Sequence, residues 1–406
     1  MIPRKPLPIA LGASLAILLF VWITSNVPTT VSYTHKSQSY SQTSTIDKAR
    51  TKANSAQELA QMLKEEVSFS RVVYQDFHDE YTKISYVNQK TVVEEGHGQE
   101  TTVLILSSIV DETAYGKNRN FEDFFNTVFS LNYPRNLVSL GFLVGSQQEF
   151  QKVDLYFKKY FEPLTELSTT DKNHKKIIQK FVNKVTIVTA PFIEKEFEID
   201  RDNRHNTDVQ KQRRRTIARS RNFILSNSLN DERYTLFLDS DIIRIEHRDM
   251  INIFVESGKD IAVPRIEKEW DQDYDRNSWR GERTVPDAQQ LEIMDKNDWQ
   301  HFTFIPEDIG DNIYHLHHTL ANEDASTKEL TYNVPLDAVG GAILFSKSIV
   351  YRQGVTFPTF YLIGTTWQRF EGYDGIETEG ICYMAKTLGY SCWGYPNLVA
   401  EHSPGD

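Results

Sequence analysis

The run Val103-Leu-Ile-Leu-Ser-Ser-Ile-Val110 constrains this chain more than any other segment. It carries no charge and does not alternate with polar residues, so it reads as a strand buried on both faces. Such a strand needs helices above and below it, and the downstream sequence supplies them. Phe121–Leu131 reads as a helix, Leu137–Val144 as a second strand ending in Gly145-Ser146, Phe150–Phe161 as a helix and Lys184–Thr189 as a third strand. A helix over Gln210–Ser228 then leads into the strand Tyr234–Leu238. This β-α-β-α-β order predicts an α/β fold with a mostly parallel central sheet.

Upstream, no formally charged residue lies between Lys5 and Lys36. The apolar stretch 9–25 within that gap is just long enough to cross a bilayer, which takes about 17–25 residues. Arg4 and Lys5 would stay cytoplasmic. Thr24-Ser25-Asn26-Val27-Pro28 is a poor cleavage site, which favours an uncleaved signal anchor over a signal peptide and places the rest of the chain in a lumen. A span this short suits the thinner early secretory membranes. The expected organisation is a cytoplasmic tail (1–8), an anchor (9–25), a stem (26–95) and one catalytic domain (96–406). Within the stem, 28–45 is rich in Ser, Thr and Tyr, while 46–87 reads as a long amphipathic helix, packed on its own domain or spacing it from the membrane and pairing with a partner.

The strand Leu236-Phe-Leu238 stops at Asp239-Ser240-Asp241. Ligands of open α/β sheets bind at the carboxyl ends of the strands. Two carboxylates one residue apart at that position suit a hard cation, Mn²⁺ or Mg²⁺, shared with substrate phosphates. The alternative is a solvated strand-end turn. The preceding helix carries Lys211-Gln-Arg-Arg-Arg-Thr-Ile-Ala-Arg-Ser-Arg-Asn222, with Arg215, Arg219 and Asn222 at i, i+4, i+7 on one face. The chain is otherwise acidic, 56 Asp and Glu against 45 Lys and Arg, so it is no generic nucleic-acid binder. A basic helix beside an acidic metal motif suits a phosphate-bearing ligand.

Near the carboxyl end, Val339-Gly-Gly-Ala-Ile-Leu-Phe345 reads as a strand begun by two glycines, which either let a ligand approach the backbone or mark a bulge. Glu377 and Glu379 open the helix Ile381–Leu388, as caps or as carboxylates facing a reacting sugar. His402 ends a last strand-like run and offers a third metal ligand. Cys382 and Cys392 leave a disulfide open as a possibility. His315, His317 and His318 lack zinc-site spacing. There is no nucleotide-binding glycine motif and no N-glycosylation sequon.

Taken together, Arg213–Asn222, Leu238–Ile242, Tyr274–Trp279, Pro335–Gly341 and Glu377–Gly380, with Ala385–Tyr390, Tyr395-Pro-Asn397 and His402, resemble the fungal Golgi mannan-polymerase mannosyltransferases. The likeness spans about residues 100–402. It implies a GT-A fold (a Rossmann-like nucleotide-diphospho-sugar transferase) in a single-pass type II Golgi membrane protein. The implied reaction moves mannose from GDP-mannose, with retention, onto α-1,6-linked mannan chains of N-glycans. Mn²⁺, or Mg²⁺, would be held by Asp239, Asp241 and His402. Ser107 and Asp111 would contact guanosine. Arg215, Arg219, Asn222, Asp275, Asp337, Gly340 and Gly341 would line the nucleotide-sugar site, and Glu377 or Glu379 would face the donor sugar or the acceptor. Retention through a carboxylate nucleophile and retention by front-face attack both stay open. Other mannosyltransferase subunits are the implied partners. Two further readings are a scaffold subunit with little activity of its own and a lumenal nucleoside diphosphatase.

Overall fold

The computed structural model describes residues 70–404 apart from 77–80, 89–100, 166–173, 191–206, 283–284, 297, 299–300, 302–312, 322–324, 366–368 and 370. The anchor, 26–69 of the stem and the cytoplasmic tail lie outside the described residues. Among the described residues no helix is long and apolar enough to cross a membrane.

Two antiparallel strands come first, β1 (Ser70–Asp76) and β2 (Tyr81–Val87). There follow β3 (Val103–Ile109), α1 (Phe121–Phe129), β4 (Val138–Val144), α2 (Gln147–Thr165), α3 (His174–Ile178) and β5 (Lys184–Thr189). The long helix α4 (Thr207–Ser228) precedes β6 (Tyr234–Leu238), β7 (Ile242–Ile245), α5 (Met250–Ser257), β8 (Ile261–Glu267), β9 (Trp279–Gly281), α6 (Ala288–Asp295) and β10 (Ile313–His315). The chain continues through β11 (Val334–Leu336), β12 (Ile343–Lys347), α7 (Ser348–Arg352), α8 (Glu377–Thr387) and β13 (Cys392–His402).

The α/β expectation holds, but the sheet is mixed. Its order is β1-β2-β5-β4-β3-β6-β12-β8-β13-β11, with β7 on β13. Strands β5, β4, β3 and β6 form a parallel block, and β8 and β13 a parallel pair. Between them β12 runs antiparallel to both β6 and β8. An apolar run signals burial but carries no sign of direction, so this reversal was not to be had from periodicity.

Strand β3 shows why the middle of the sheet is dry. Val103, Ile105 and Ile109 enter one core with the aromatic rings of α1 and α2, while Leu104 and Leu106 enter the other with Ala218, Ile224 and Leu225 of α4. Successive side chains of a strand point to opposite faces, so both must be covered. Helix α1 starts at an Asn120 capping box, in which Asn120 accepts from Glu122 and Asp123 and Asp123 accepts from Asn120.

The expected helix over 46–87 and the domain start at 96 need correction. Residues 70–87 form the β1–β2 hairpin, and β2 continues the sheet antiparallel to β5. The segment Arg71-Val-Val-Tyr74 and Tyr81-Thr-Lys-Ile-Ser-Tyr-Val87 is rich in β-branched and aromatic residues, with Ile84 and Tyr86 buried at strand spacing. Tyr86 stacks on Phe161 and donates to Asp154, which also pairs with Arg71 at 2.9 Å. The folded domain therefore begins by residue 70.

Candidate active site

Strand β6 ends in the Asp239-Ser240-Asp241 turn, and two interactions hold the turn rigidly. Asp239 N donates to Ala342 O of the strand leader beside it, and Ser240 Oγ donates to Ala114 O at 2.7 Å. The middle serine thus ties the turn to the loop after β3. Asp241 O accepts from Ser403 N, bringing the end of β13 alongside. Here His402 Nε2 lies 3.0 Å from Asp241 Oδ2, while His402 Nδ1 faces Ser403 O at 2.8 Å. Burial works against charge on His402, but the Asp241 carboxylate outweighs it and raises the imidazole pKa.

The second half of the site is a buried charge cluster between α4 and α8. Arg221 Nη2 lies 3.0 Å from Asp239 Oδ1, and its Nε lies 3.5 Å from Glu377 Oε1. Arg214, two turns earlier on the same face, reaches Glu379 at 3.0 Å and Glu377 at 3.7 Å. The Arg221 guanidinium also rests over the rings of Phe237 and Phe357. Asp275 Oδ2 accepts from Ala342 N at 3.2 Å. Burial raises the carboxyl pKa values of Asp239, Asp275 and Glu377, and Arg221 pulls each of them back. Burial alone would discharge Arg221, yet Asp239, Glu377 and Asp275 hold its pKa above the ordinary value.

Glu377 stands out by its backbone. Its φ is +57°, in the left-handed region that non-glycine residues seldom occupy. Such residues cluster where surrounding structure enforces a conformation for a purpose. Here Glu377 N donates to Pro358 O while the side chain is pinned between two arginines.

The structure redistributes several expected roles. The basic face that serves the carboxylates is Arg214, Ala218 and Arg221, one residue out of phase with the expected Arg215, Arg219 and Asn222. Arg215 pairs with buried Glu371 at 2.6 Å. Asn222 uses both ends of its amide on Phe357, donating to its carbonyl and accepting from its N–H, and so braces the chain there. Arg219 and Asn222 line a cavity of about 580 Å³ walled by Tyr351, Val355 and Thr359. Arg221 is 5% exposed, outside the face formed by Arg215, Arg219 and Asn222. The signal that could have found it is the phase of Ala218, a small buried residue one turn before it.

The Gly340-Gly341 backbone is closely approached by protein side chains. A Cβ on Gly340 would sit 1.9 Å from Asp275 Oδ2, and one on Gly341 would sit 2.5 Å from Arg221 Nη2. Asp337 is engaged by Gly281 N at 2.9 Å and faces Lys386, so it joins β9 to β11. Ser107 is buried at the end of β3, and its Oγ has no hydrogen-bond partner. Asp111 folds its own loop, accepting from Thr113 N and Oγ1. Cys382 and Cys392 form a disulfide between α8 and β13.

The donor set suits a cation of the Mn²⁺ or Mg²⁺ kind. Asp241 Oδ1 is buried with no hydrogen-bond partner among the described residues, and with Nδ1 engaged by Ser403 it is His402 Nε2 that would be offered to a cation. Asp239 is turned to Arg221 instead, and among the described residues no three His, Cys, Asp or Glu side chains gather tightly enough to hold an ion alone. Two protein ligands with the remainder supplied by phosphate and water is the usual arrangement for a nucleotide-bound Mg²⁺-type ion.

Residues 78–361 match the Anp1 family model. The chain belongs to the Anp1 family. Among its relatives, the "Mannan polymerase complex subunit mnn9" of Schizosaccharomyces pombe is 29% identical over 306 residues, covering 74% of this chain and 79% of that one. "Mannan polymerase complex subunit MNN9" of Candida albicans is 26% identical over 82% of each chain. The "Mannan polymerase I complex VAN1 subunit" of Saccharomyces cerevisiae is 23% identical over 68% of this chain and 56% of its own. Among solved structures, a mannosyltransferase from Pyrobaculum calidifontis in complex with GDP-Man and Mn2+ is 10% identical, covering 75% of this chain and 56% of that chain. Its TM-score of 0.38 is too low to carry an argument. The resemblance to the mannan-polymerase proteins read from the Anp1 chain's motifs thus holds at the level of family.

Proposed function

We propose that this Anp1-family chain is a GT-A mannosyltransferase that uses Mn²⁺ and moves mannose from GDP-mannose, with retention, onto α-1,6-linked mannan of N-glycans. The observation that carries the reading is the Asp241–His402 pair, with an unpartnered buried carboxylate oxygen, set beside the Arg221-held carboxylates. Asp241 and His402 would hold the cation, which when bound supplies positive charge to the diphosphate of the departing GDP. Ser107, whose buried hydroxyl has no hydrogen-bond partner among the described residues, would contact the guanosine end. Arg221 offsets part of the burial cost of ionising Asp239 and Glu377 and would fix both in place. Glu377 is the carboxylate we set against the reacting sugar, because its position is enforced by backbone and side chain together.

Residues 9–25 would anchor the chain as a type II protein of the Golgi membrane, with the described domain lumenal. The Cys382–Cys392 disulfide supports an oxidising compartment. Other mannan-polymerase subunits would be its partners, as the names of its relatives suggest. The test is detergent-solubilised full-length chain with GDP-mannose, Mn²⁺ and α-mannobiose, followed by linkage analysis. Asp241→Asn should abolish both transfer and Mn²⁺-dependent GDP binding. Transfer surviving in that variant would remove Asp241 from the site, and GDP hydrolysis independent of acceptor would point to a diphosphatase.

A further inference from the structure

Strand β8 ends at Glu267, which lies opposite Glu401 in the parallel register with β13, one residue before His402. The chain then makes a tight turn. Lys268 and Asp271 exchange both backbone hydrogen bonds, at 3.0 and 2.8 Å, and Glu269 inside the turn takes a left-handed φ of +49°. The turn is tied down from several sides. Asp271 Oδ1 accepts from Asp273 N and pairs with Arg276 at 3.1 Å, and buried Arg265 holds the carbonyl of Gln272. After the turn Tyr274 N returns to Ile266 O, and the Tyr274 ring lies 4.6 Å from the His402 ring. The Lys268 ammonium lies 4.5 Å from the centroid of the same tyrosine ring.

At the tip of this pinned turn stands Trp270, 97% exposed. Leaving so large an apolar ring in water forfeits the free energy its burial would bring. The left-handed Glu269 and the tied flanks hold it out, so its exposure is built in. Tyr274, 39% exposed, adds a second ring next to His402. The charges around the rings are balanced, with Glu267 paired to Arg265, Asp271 paired to Arg276 and Glu269 beside Lys268 in the turn. Such a rim has no excess charge to draw phosphate, nucleic acid or anionic lipid, and its carboxylates accept hydrogen bonds from neutral hydroxyl groups. A flat apolar face ringed by hydroxyl acceptors matches a neutral sugar, which has an apolar C–H face and a hydroxyl edge.

We infer that Trp270 is a saccharide-stacking platform that holds the acceptor oligosaccharide beside the Asp241–His402 end of the site. This inference rests on the transferase reading above and adds the acceptor side to it. A sugar stacked on Trp270, with Tyr274 next in line, would run its chain toward His402 along the outside of β8.

The experiment uses solubilised full-length chain and α-1,6-mannobiose as the probe, with Trp270→Ala and Trp270→Phe. Saturation-transfer NMR reads mannobiose binding without any donor, and Mn²⁺-dependent GDP binding is measured separately. Trp270→Ala should abolish the mannobiose signal and raise the acceptor KM at least tenfold, with kcat and GDP binding within twofold of wild type. Trp270→Phe should restore most of the acceptor affinity. Undiminished mannobiose binding in Trp270→Ala overturns the inference, and so does loss of a co-purifying subunit with acceptor KM unchanged, which would make the turn a protein contact. If wild type binds no GDP with Mn²⁺, the transferase reading fails by itself, while the mannobiose signal still decides the role of Trp270.

Discussion

Replacing Arg221 with methionine tests the charge cluster most directly. The variant keeps a long apolar stem but leaves Asp239, Asp275 and Glu377 without the cation that compensates them. At an effective dielectric near 20, a unit charge 3.0 Å from Asp239 and 3.5 Å from Glu377 is worth about 5.5 and about 4.7 kcal/mol in gross attraction. Most of that is returned as the cost of burying the guanidinium, and the Asp239 side chain, 42% open to solvent, is partly screened. Breaking one partner out of a buried pair typically costs about 3–5 kcal/mol, so about 3 is expected here. For a domain this large that lowers the melting temperature by about 4–5 °C. The sign of the pH effect follows from the carboxyls. Their folded-state pKa values already lie above ordinary values because of burial, and loss of Arg221 raises them further. The folded variant then binds more protons than the unfolded chain, so its deficit is small near the ordinary carboxyl range and widens as pH rises through the raised values. Thermal unfolding of wild type and Arg221→Met at pH 5 and pH 7.5, followed by circular dichroism, should show the larger gap at 7.5. An equal gap at both pH values, or none, would refute the assigned electrostatics.

Three further outcomes are expected. Gly340→Ala should cost more than about 3 kcal/mol in denaturant titration, because its Cβ would meet the Asp275 carboxylate, whereas Gly389→Ala, strained only by φ +84° with nothing within 4 Å, should cost about 1 kcal/mol. A chain started at residue 96 should aggregate or melt well below one started at residue 65, since it leaves the β2-facing edge of β5 unpaired and Asp154 without Arg71 and Tyr86; equal melting temperatures would return the hairpin to the stem. Cys382→Ser with Cys392→Ser should lose about 2–3 kcal/mol, the loop-closure entropy of a loop this short, and reducing agent should have no further effect on that variant.

What the sequence shows of this fold follows from which signals are local. The parallel block was legible because each strand is an apolar run and each helix follows it by periodicity. The direction of β12 was not, since it depends on which neighbour the chain reaches across space. Asp241 and His402 were legible as a strand-end carboxylate and a late histidine that the tertiary fold brings to 3.0 Å. Arg214 and Arg221 were missed because a helix buried on two sides has no single polar face, and an arginine inside it is found only through its carboxylate partners. The hairpin at 70–87 was missed because the alanines of 49–60 set an expectation of helix that was carried too far along the chain.

Glu377 has a consequence for anyone who would improve this protein. A position at φ +57° is one that a sequence selected for folding alone would give to glycine or asparagine. Glu377→Gly would release that strain but leave buried Arg214 and Arg221 short of a carboxylate, so backbone relief and charge balance draw this one position in opposite directions.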